Sequence, residues 1–236
     1  MGRERNWTVD RPAALGEPSG RARVHEEPTL SPSVSTPAVR LAALSIPVTT
    51  ERLRLEHPSL RRADEYPPLL DDRAVSRWLL RVPWPYHRSD AVAHVLRARR
   101  RRRSGTHLAL AIIELDSDRL IGGIGLYHLE GEHRHAEVGY WLGRPYWGQG
   151  FASEALGAVL RAGFVDLRLH RVEAGVFPGN AASEHVLRKA GFVAEGIRRE
   201  AFFKGGVWVD DLLFGLTVTE WRRTRSRRGH AGPRPG

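Results

Sequence analysis

One segment constrains this chain more than any other. Ala136-Glu137-Val138-Gly139-Tyr140-Trp141-Leu142 has the character of a strand, a glycine-rich turn follows it, and Phe151 to Asp166 reads as a helix. In that helix Phe151, Ala155, Leu156, Val159 and Leu160 fall on one face. Gly148 and Gly150 let the backbone fold tightly and come close to a ligand, and the free N–H groups opening the helix then point at one place. Such a nest, reinforced by the positive end of the helix dipole, suits a pyrophosphate. Glycine turns also precede helices for purely structural reasons, and a lone Gly-x-Gly is weak evidence. The six-residue Gly-x-Gly-x-x-Gly fingerprint and the Gly-Lys-Ser/Thr of a nucleotide loop are both absent.

The remaining chain supplies the sheet into which this unit fits. Residues 1–48 carry Pro12, Pro18, Pro28, Pro32, Pro37 and Pro47 among Ser, Ala and charge, and read as a disordered arm. Arg52-Leu53-Arg54-Leu55-Glu56 alternates with the period of a half-buried strand, so the folded domain is expected over 49–221. Ser59 to Trp78 reads as helical, the stretch around Pro83 and Pro85 as loop, and Asp90 as the cap of a helix running through the arginine run. His107 to Ile113 and Leu120 to Leu126 form a hairpin around Asp116-Ser117-Asp118. Arg171 to Val176, Gly191 to Gly196 and Leu212 to Thr217 are further strands, and Ala181 to Ala190 is a helix. Residues 222–236 read as a basic disordered tail.

Composition narrows the chemistry. The chain has no cysteine, which removes disulfides, thiolate catalysis and cysteine zinc sites and fits a cytoplasmic protein. No stretch approaches the roughly 20 apolar residues of a membrane span. The net charge of +10 comes from two blocks, Arg97 with Arg99 to Arg103 and the tail after Trp221, each contributing six arginines. A local acidic partner such as RNA is one reading of these blocks, and a solvated arginine face is the other. His128, His133 and His135 lack metal-ligand spacing and read as surface residues, so no metal is expected.

Tyr146-Trp147-Gly148-Gln149-Gly150-Phe151-Ala152-Ser153-Glu154-Ala155 resembles the acetyl-CoA-binding motif of the GNAT superfamily of N-acetyltransferases, in the form of its RimJ/RimL-like branch. Four further segments match in order: Ala136 to Leu142, Asn180-Ala181-Ala182-Ser183, Arg188-Lys189-Ala190-Gly191-Phe192 and Gly206-Val207-Trp208-Val209-Asp210-Asp211. The likeness covers about residues 50 to 221. It implies an α/β (α+β) GNAT fold with a mixed central sheet of six to seven strands, about four flanking helices, and splayed fourth and fifth strands. Pro145 stands where the motif usually has Gln or Arg.

The resemblance implies acetyl transfer from acetyl-CoA, as co-substrate, to a primary amine. It assigns the co-substrate to the backbone of Trp141 and Leu142, to Arg144, Gly148, Gln149, Gly150, Phe151 and Ala152 in the turn, and to Asn180. An α-amino group titrates near 8 and a lysine near 10.4, so a peptide N-terminus needs less help from a base. Glu137 is the candidate base, directly or through water, with a structural ion pair as the competing role. Many relatives place a tyrosine acid where this chain has Leu187; Ser183 is the candidate replacement, with helix capping as its competing role. Trp84, Tyr86 and Trp208 are candidate walls of the acceptor groove. The branch points to the N-terminal α-amine of a protein, such as a ribosomal protein. A small amine (antibiotic, polyamine or amino sugar) and a non-catalytic RNA- or ribosome-binding role remain alternatives, and a homodimer stays open.

Overall fold

A computed structural model of the chain describes residues 37–130 and 132–229. Among these residues eight strands form one sheet: β1 (Val48–Thr49), β2 (Leu53–Glu56), β3 (Leu108–Glu114), β4 (Leu120–Glu130), β5 (His135–Leu142), β6 (Arg171–Val176), β7 (Val193–Lys204) and β8 (Val207–Thr217). Their order is β1-β2-β3-β4-β5-β6-β8-β7, and every neighbouring pair is antiparallel except β5 and β6. The eighth strand beyond the expected seven is β1. It folds back on β2 with Val48, the last residue of the segment expected to be disordered, opposite Leu55.

Helices cover both faces, as a largely buried sheet requires. On β3, Leu108, Leu110 and Ile112 turn to one core while Ala111 and Ile113 turn to the other. The first core is closed by α5 (Phe151–Arg161) and α6 (Ala181–Ala190), through Phe151, Ala155, Leu156, Val159, Leu160 and Leu187. The second holds Tyr66, Leu69, Leu70, Val75 and Ala91. Ala91 belongs to α4 (Arg88–Arg103), and the others belong to short turns between Leu60 and Ser76.

Three sequence expectations need correction here. The single helix expected from Ser59 to Trp78 is a 3-10 segment (Leu60–Glu65), α2 (Pro67–Leu70) and α3 (Arg73–Ser76). Pro67 and Pro68 lack the N–H groups a through-helix needs, and Asp72 restarts the chain by accepting from the Ala74 N–H at 2.7 Å. Asp90 is not the residue that begins α4. It sits one turn in, and its carboxylate accepts from the His87 backbone N–H at 2.8 Å. Both expected disordered ends also contribute structure. α1 (Pro37–Ala42) buries Leu41 and lets Arg40 donate to the Leu167 carbonyl, while α7 (Val218–Gly229) lays Trp221 against Phe164 at 5.2 Å between ring centres. Residues 1–36 and 230–236 of the expected arm and tail lie outside the described residues.

Candidate active site

The site is made by a failure of pairing. β5 and β6 run parallel and pair only from His135–Arg171 to Glu137–Glu173. Beyond that pair the two strands separate, leaving one edge of Val138 to Leu142 free. The Gly143 N–H donates to Ile121 on β4, so by strand alternation Trp141 also turns its backbone toward β4. The N–H groups of Tyr140 and Leu142 therefore face the cleft. Of the two backbone positions assigned to the co-substrate, Leu142 opens onto the cleft and Trp141 does not. The Trp141 side chain lies against Gly123 on the second core, where a Cβ would meet its Nε1 at 2.6 Å.

At the end of β5 the chain passes through a short 3-10 turn, Arg144–Tyr146, where Pro145 fits because no N–H is required there. Trp147 donates from Nε1 to the Leu142 carbonyl at 2.8 Å, and Gln149 donates to the Pro145 carbonyl at 2.8 Å. Gly148 and Gly150 take left-handed conformations, with φ of 75° and 84°. These angles explain why glycine stands at both positions. The N–H groups from Gly148 to Ser153 have no acceptor among the described residues, and they gather at the N-terminus of α5. Nothing lies within 4 Å of a Cβ built on Gly148, so the cradle stays open.

A latch that local pattern does not reveal holds this turn. Glu154, in the first turn of α5, accepts from Thr50 Oγ1 at 2.6 Å and from the Arg52 N–H at 2.9 Å. Arg52 Nε bonds the same carboxylate at 2.8 Å, and its other arm donates to the Gln149 carbonyl at 3.0 Å. The guanidinium also lies 4.5 Å from the Phe151 ring centre. Burial pulls the Glu154 pKa upward, but the bonds from Thr50 and Arg52 outweigh it and hold the carboxyl below its usual range.

On the opposite arm of the cleft Asn180 begins α6, its side chain accepting from the Ser183 N–H at 3.2 Å. Ser183 is thus not the cap. Its hydroxyl lies 3.0 Å from Tyr140 Oη, and the same phenol donates to the Ser183 carbonyl at 3.2 Å. The Tyr140 side chain crosses from β5 to α6 and bridges the arms of the cleft. Burial pushes its pKa up to about 12, so it keeps its proton at neutral pH. Leu187 is fully buried in the core.

Glu137 lies at the apex, exposed, on the face opposite Tyr140. The two candidate catalytic residues, Glu137 and Ser183, therefore belong to different faces of the sheet. Tyr127 pairs with Glu137, and its ring lies across Gly139 and Gly125, where added Cβ atoms would meet it at 3.1 and 3.0 Å. Burial first, and then the Glu137 charge, push the Tyr127 pKa up to about 12. His135, read from sequence as a surface residue, is half-buried, with Nε2 3.0 Å from Glu173 Oε2. Among the described residues no cluster of three or more His, Cys, Asp or Glu side chains is arranged to hold a metal. Trp84 and Trp208 line a shared cavity, whereas Tyr86 is buried in the second core.

The cleft thus lies between diverging parallel strands, with open N–H groups at the start of the following helix. Residues 52–193 match the acetyltransferase (GNAT) domain model, and the chain belongs to the GNAT acetyltransferase family. It is an N-acetyltransferase. It is 33% identical over 172 residues to the uncharacterized N-acetyltransferase p20 of Bacillus licheniformis, spanning 73% of this chain and 96% of that protein. It is 28% identical over 120 residues to the ribosomal protein uS5-alanine N-acetyltransferase of Escherichia coli strain K12, spanning 50% of this chain and 62% of the relative. The solved structure of Mycobacterium smegmatis RimJ in complex with CoA-disulfide superposes with a TM-score of 0.66 at 26% identity. That match covers 75% of this chain and 89% of the other.

Proposed function

We propose that the protein transfers an acetyl group from acetyl-CoA to a primary amine, the N-terminal α-amine of a protein such as a ribosomal protein. The observation that carries this reading is the turn. Two left-handed glycines and a row of N–H groups without acceptors among the described residues stand at the helix N-terminus, beside a strand edge that β6 leaves unpaired where it parts from β5. The relatives named as ribosomal-protein acetyltransferases support a protein acceptor, and so does the low pKa of an α-amine.

Acetyl-CoA supplies the acetyl group as a thioester. In this reading the turn from Arg144 to Ala152 holds the pyrophosphate, Asn180 lies beside the pantetheine arm, and the Leu142 or Tyr140 N–H polarises the carbonyl. Glu137 accepts a proton from the attacking amine, directly or through water, as the new C–N bond forms. The Tyr140 hydroxyl, held by Ser183, gives its proton to the departing thiolate when the C–S bond breaks. Tyr140 thereby takes the role first considered for Ser183, and Ser183 positions it. Exposed arginines of α4, among them Arg99, Arg100 and Arg103, give weak RNA or ribosome contact.

The test is release of free thiol from acetyl-CoA in the presence of N-terminal peptides and small amines. Peptides are expected to be the better acceptors, and preference for a polyamine or amino sugar would move the acceptor assignment. With the best acceptor, Glu137→Gln is expected to lower turnover by roughly 10²-fold, with the loss shrinking as pH rises and the amine deprotonates unaided. Normal turnover in that variant would remove Glu137 from the chemistry.

A further inference from the structure

Beside the mouth of the cleft, on its β6 side, lies a cavity of about 820 Å³. Ordinary small-ligand sites span roughly 300–1,000 Å³. Phe177 and Pro178, which follow β6, form part of its wall. A Cβ at Gly179 would stand 3.8 Å from the Trp78 ring, one residue before Asn180. The cavity is therefore adjacent to the place where an acceptor must present its amine.

Its lining has two properties that do not follow from folding. Trp84, Phe203 and Trp208 are 47%, 61% and 61% exposed, an apolar surface that a folded chain has reason to hide unless something covers it. Phe203 and Trp208 pack with ring centres 5.3 Å apart, which sets their faces in place. The second property is charge. The Arg73 guanidinium lies 3.5 Å over the Trp84 ring, and that of Arg77 lies 4.6 Å over Trp78. Neither arginine has an acidic partner among the described residues. Stacking fixes the guanidinium plane and leaves its N–H edge free for a carboxylate or phosphate. Lys204 adds a third cation, donating to the Ser76 and Leu79 carbonyls at 3.3 and 2.9 Å. Against these stands, among the described residues, one lining carboxylate, Asp210, whose Oδ1 accepts the Glu200 N–H at 2.8 Å. A cationic ligand is disfavoured twice over. The potential repels it, and Arg73 and Arg77 already cover faces of Trp84 and Trp78 that would otherwise help cage an ammonium.

We infer that this cavity selects acceptor amines that carry an anionic group, carboxylate or phosphate, next to a flat apolar or aromatic one. The inference rests on the proposed amine acetylation at the adjacent cleft. The test compares charged and neutral acceptors of equal shape with the full chain and acetyl-CoA. One arm uses the tripeptide amides Ala-Phe-Glu and Ala-Phe-Gln, and the other uses para-aminomethylbenzoate and its amide. The acidic member is expected to have kcat/KM about 5-fold higher or more in at least one arm, which also tells peptide from small-molecule acceptors. The Arg73→Gln/Arg77→Gln double variant is expected to bring that ratio near one, and Arg77→Glu to invert it. A ratio near one in the wild type, or one untouched by the double variant, overturns the inference. Should the double variant fail to fold, Trp208→Ala at the exposed hairpin decides instead, through a selective loss on Ala-Phe-Glu relative to Ala-Ala-Glu; an equal loss on both would count against the cavity. If no amine releases thiol, calorimetry with the same probes separates the two claims. An acid preference in binding that the double variant abolishes keeps the cavity while transfer falls, and absence of preference removes the cavity.

Discussion

Replacing Glu154 by Gln removes one charge from the most heavily bonded carboxylate near the turn and leaves its shape intact. Glu154 is 17% exposed and accepts three hydrogen bonds, from Thr50 Oγ1, the Arg52 N–H and Arg52 Nε, with Arg52 Nη2 in ion-pair contact at 2.7 Å. Hydrogen bonds to charged groups contribute about 1.5–3 kcal/mol each when isolated, but these contacts share two residues and do not add. Arg52 is 42% exposed, so solvent screens its share. A net loss of about 1–2 kcal/mol follows, which lowers the melting temperature by roughly 3–6 °C in a domain of this size. The sign of the pH dependence is fixed by the depressed pKa. The stabilisation is present above the unfolded value near 4.5 and is lost as pH falls through the lower folded value. Thermal unfolding of wild type and variant from pH 7 down to pH 3 is therefore expected to show a constant gap that narrows below about pH 4.5. Acetyl-CoA affinity is expected to drop as well, because Arg52 also holds the Gln149 carbonyl. Equal melting temperatures at pH 7, or a gap that does not narrow as pH falls below about 4.5, would refute the latch.

Two further outcomes follow from contacts described above. Tyr140→Phe keeps the packing but removes the bond to Ser183, and is expected to lower kcat by roughly 10-fold or more with little change in KM for acetyl-CoA; unchanged kcat would send the search for the proton donor elsewhere. Deleting residues 1–45 strips Leu41, 4% exposed, from the core and is expected to cost about 1.5–3 kcal/mol in thermal unfolding, whereas deletion of 1–36 leaves those contacts intact.

Local signals account for what the sequence revealed. α6 has the boundaries read from the chain because Asn180 opens the helix and Gly191, at φ 102°, closes it. The glycine turn was legible for the same reason, since only glycine takes two left-handed positions so close together at no steric cost. What escaped was long-range. The Arg52–Glu154 latch joins residues 102 apart, and the Tyr140–Ser183 contact joins residues 43 apart, so neither leaves a periodic trace. The short β1 hid behind Pro47, because a proline-rich composition says nothing about where a two-residue strand can pair. The faces of Glu137 and Ser183 were beyond reach too, since they depend on where β5 and β6 part.

The central claim is that the turn between β5 and α5 holds the pyrophosphate of acetyl-CoA, and titration calorimetry of acetyl-CoA into wild type and Gly150→Val tests it most directly. Gly150 has φ 84°, which a β-branched residue adopts at a cost of about 1–3 kcal/mol, and a side chain there stands where N–H groups must approach phosphate. The wild type is expected to bind, and the variant to retain its fold by circular dichroism while losing measurable affinity. A folded variant with wild-type affinity would contradict the assignment.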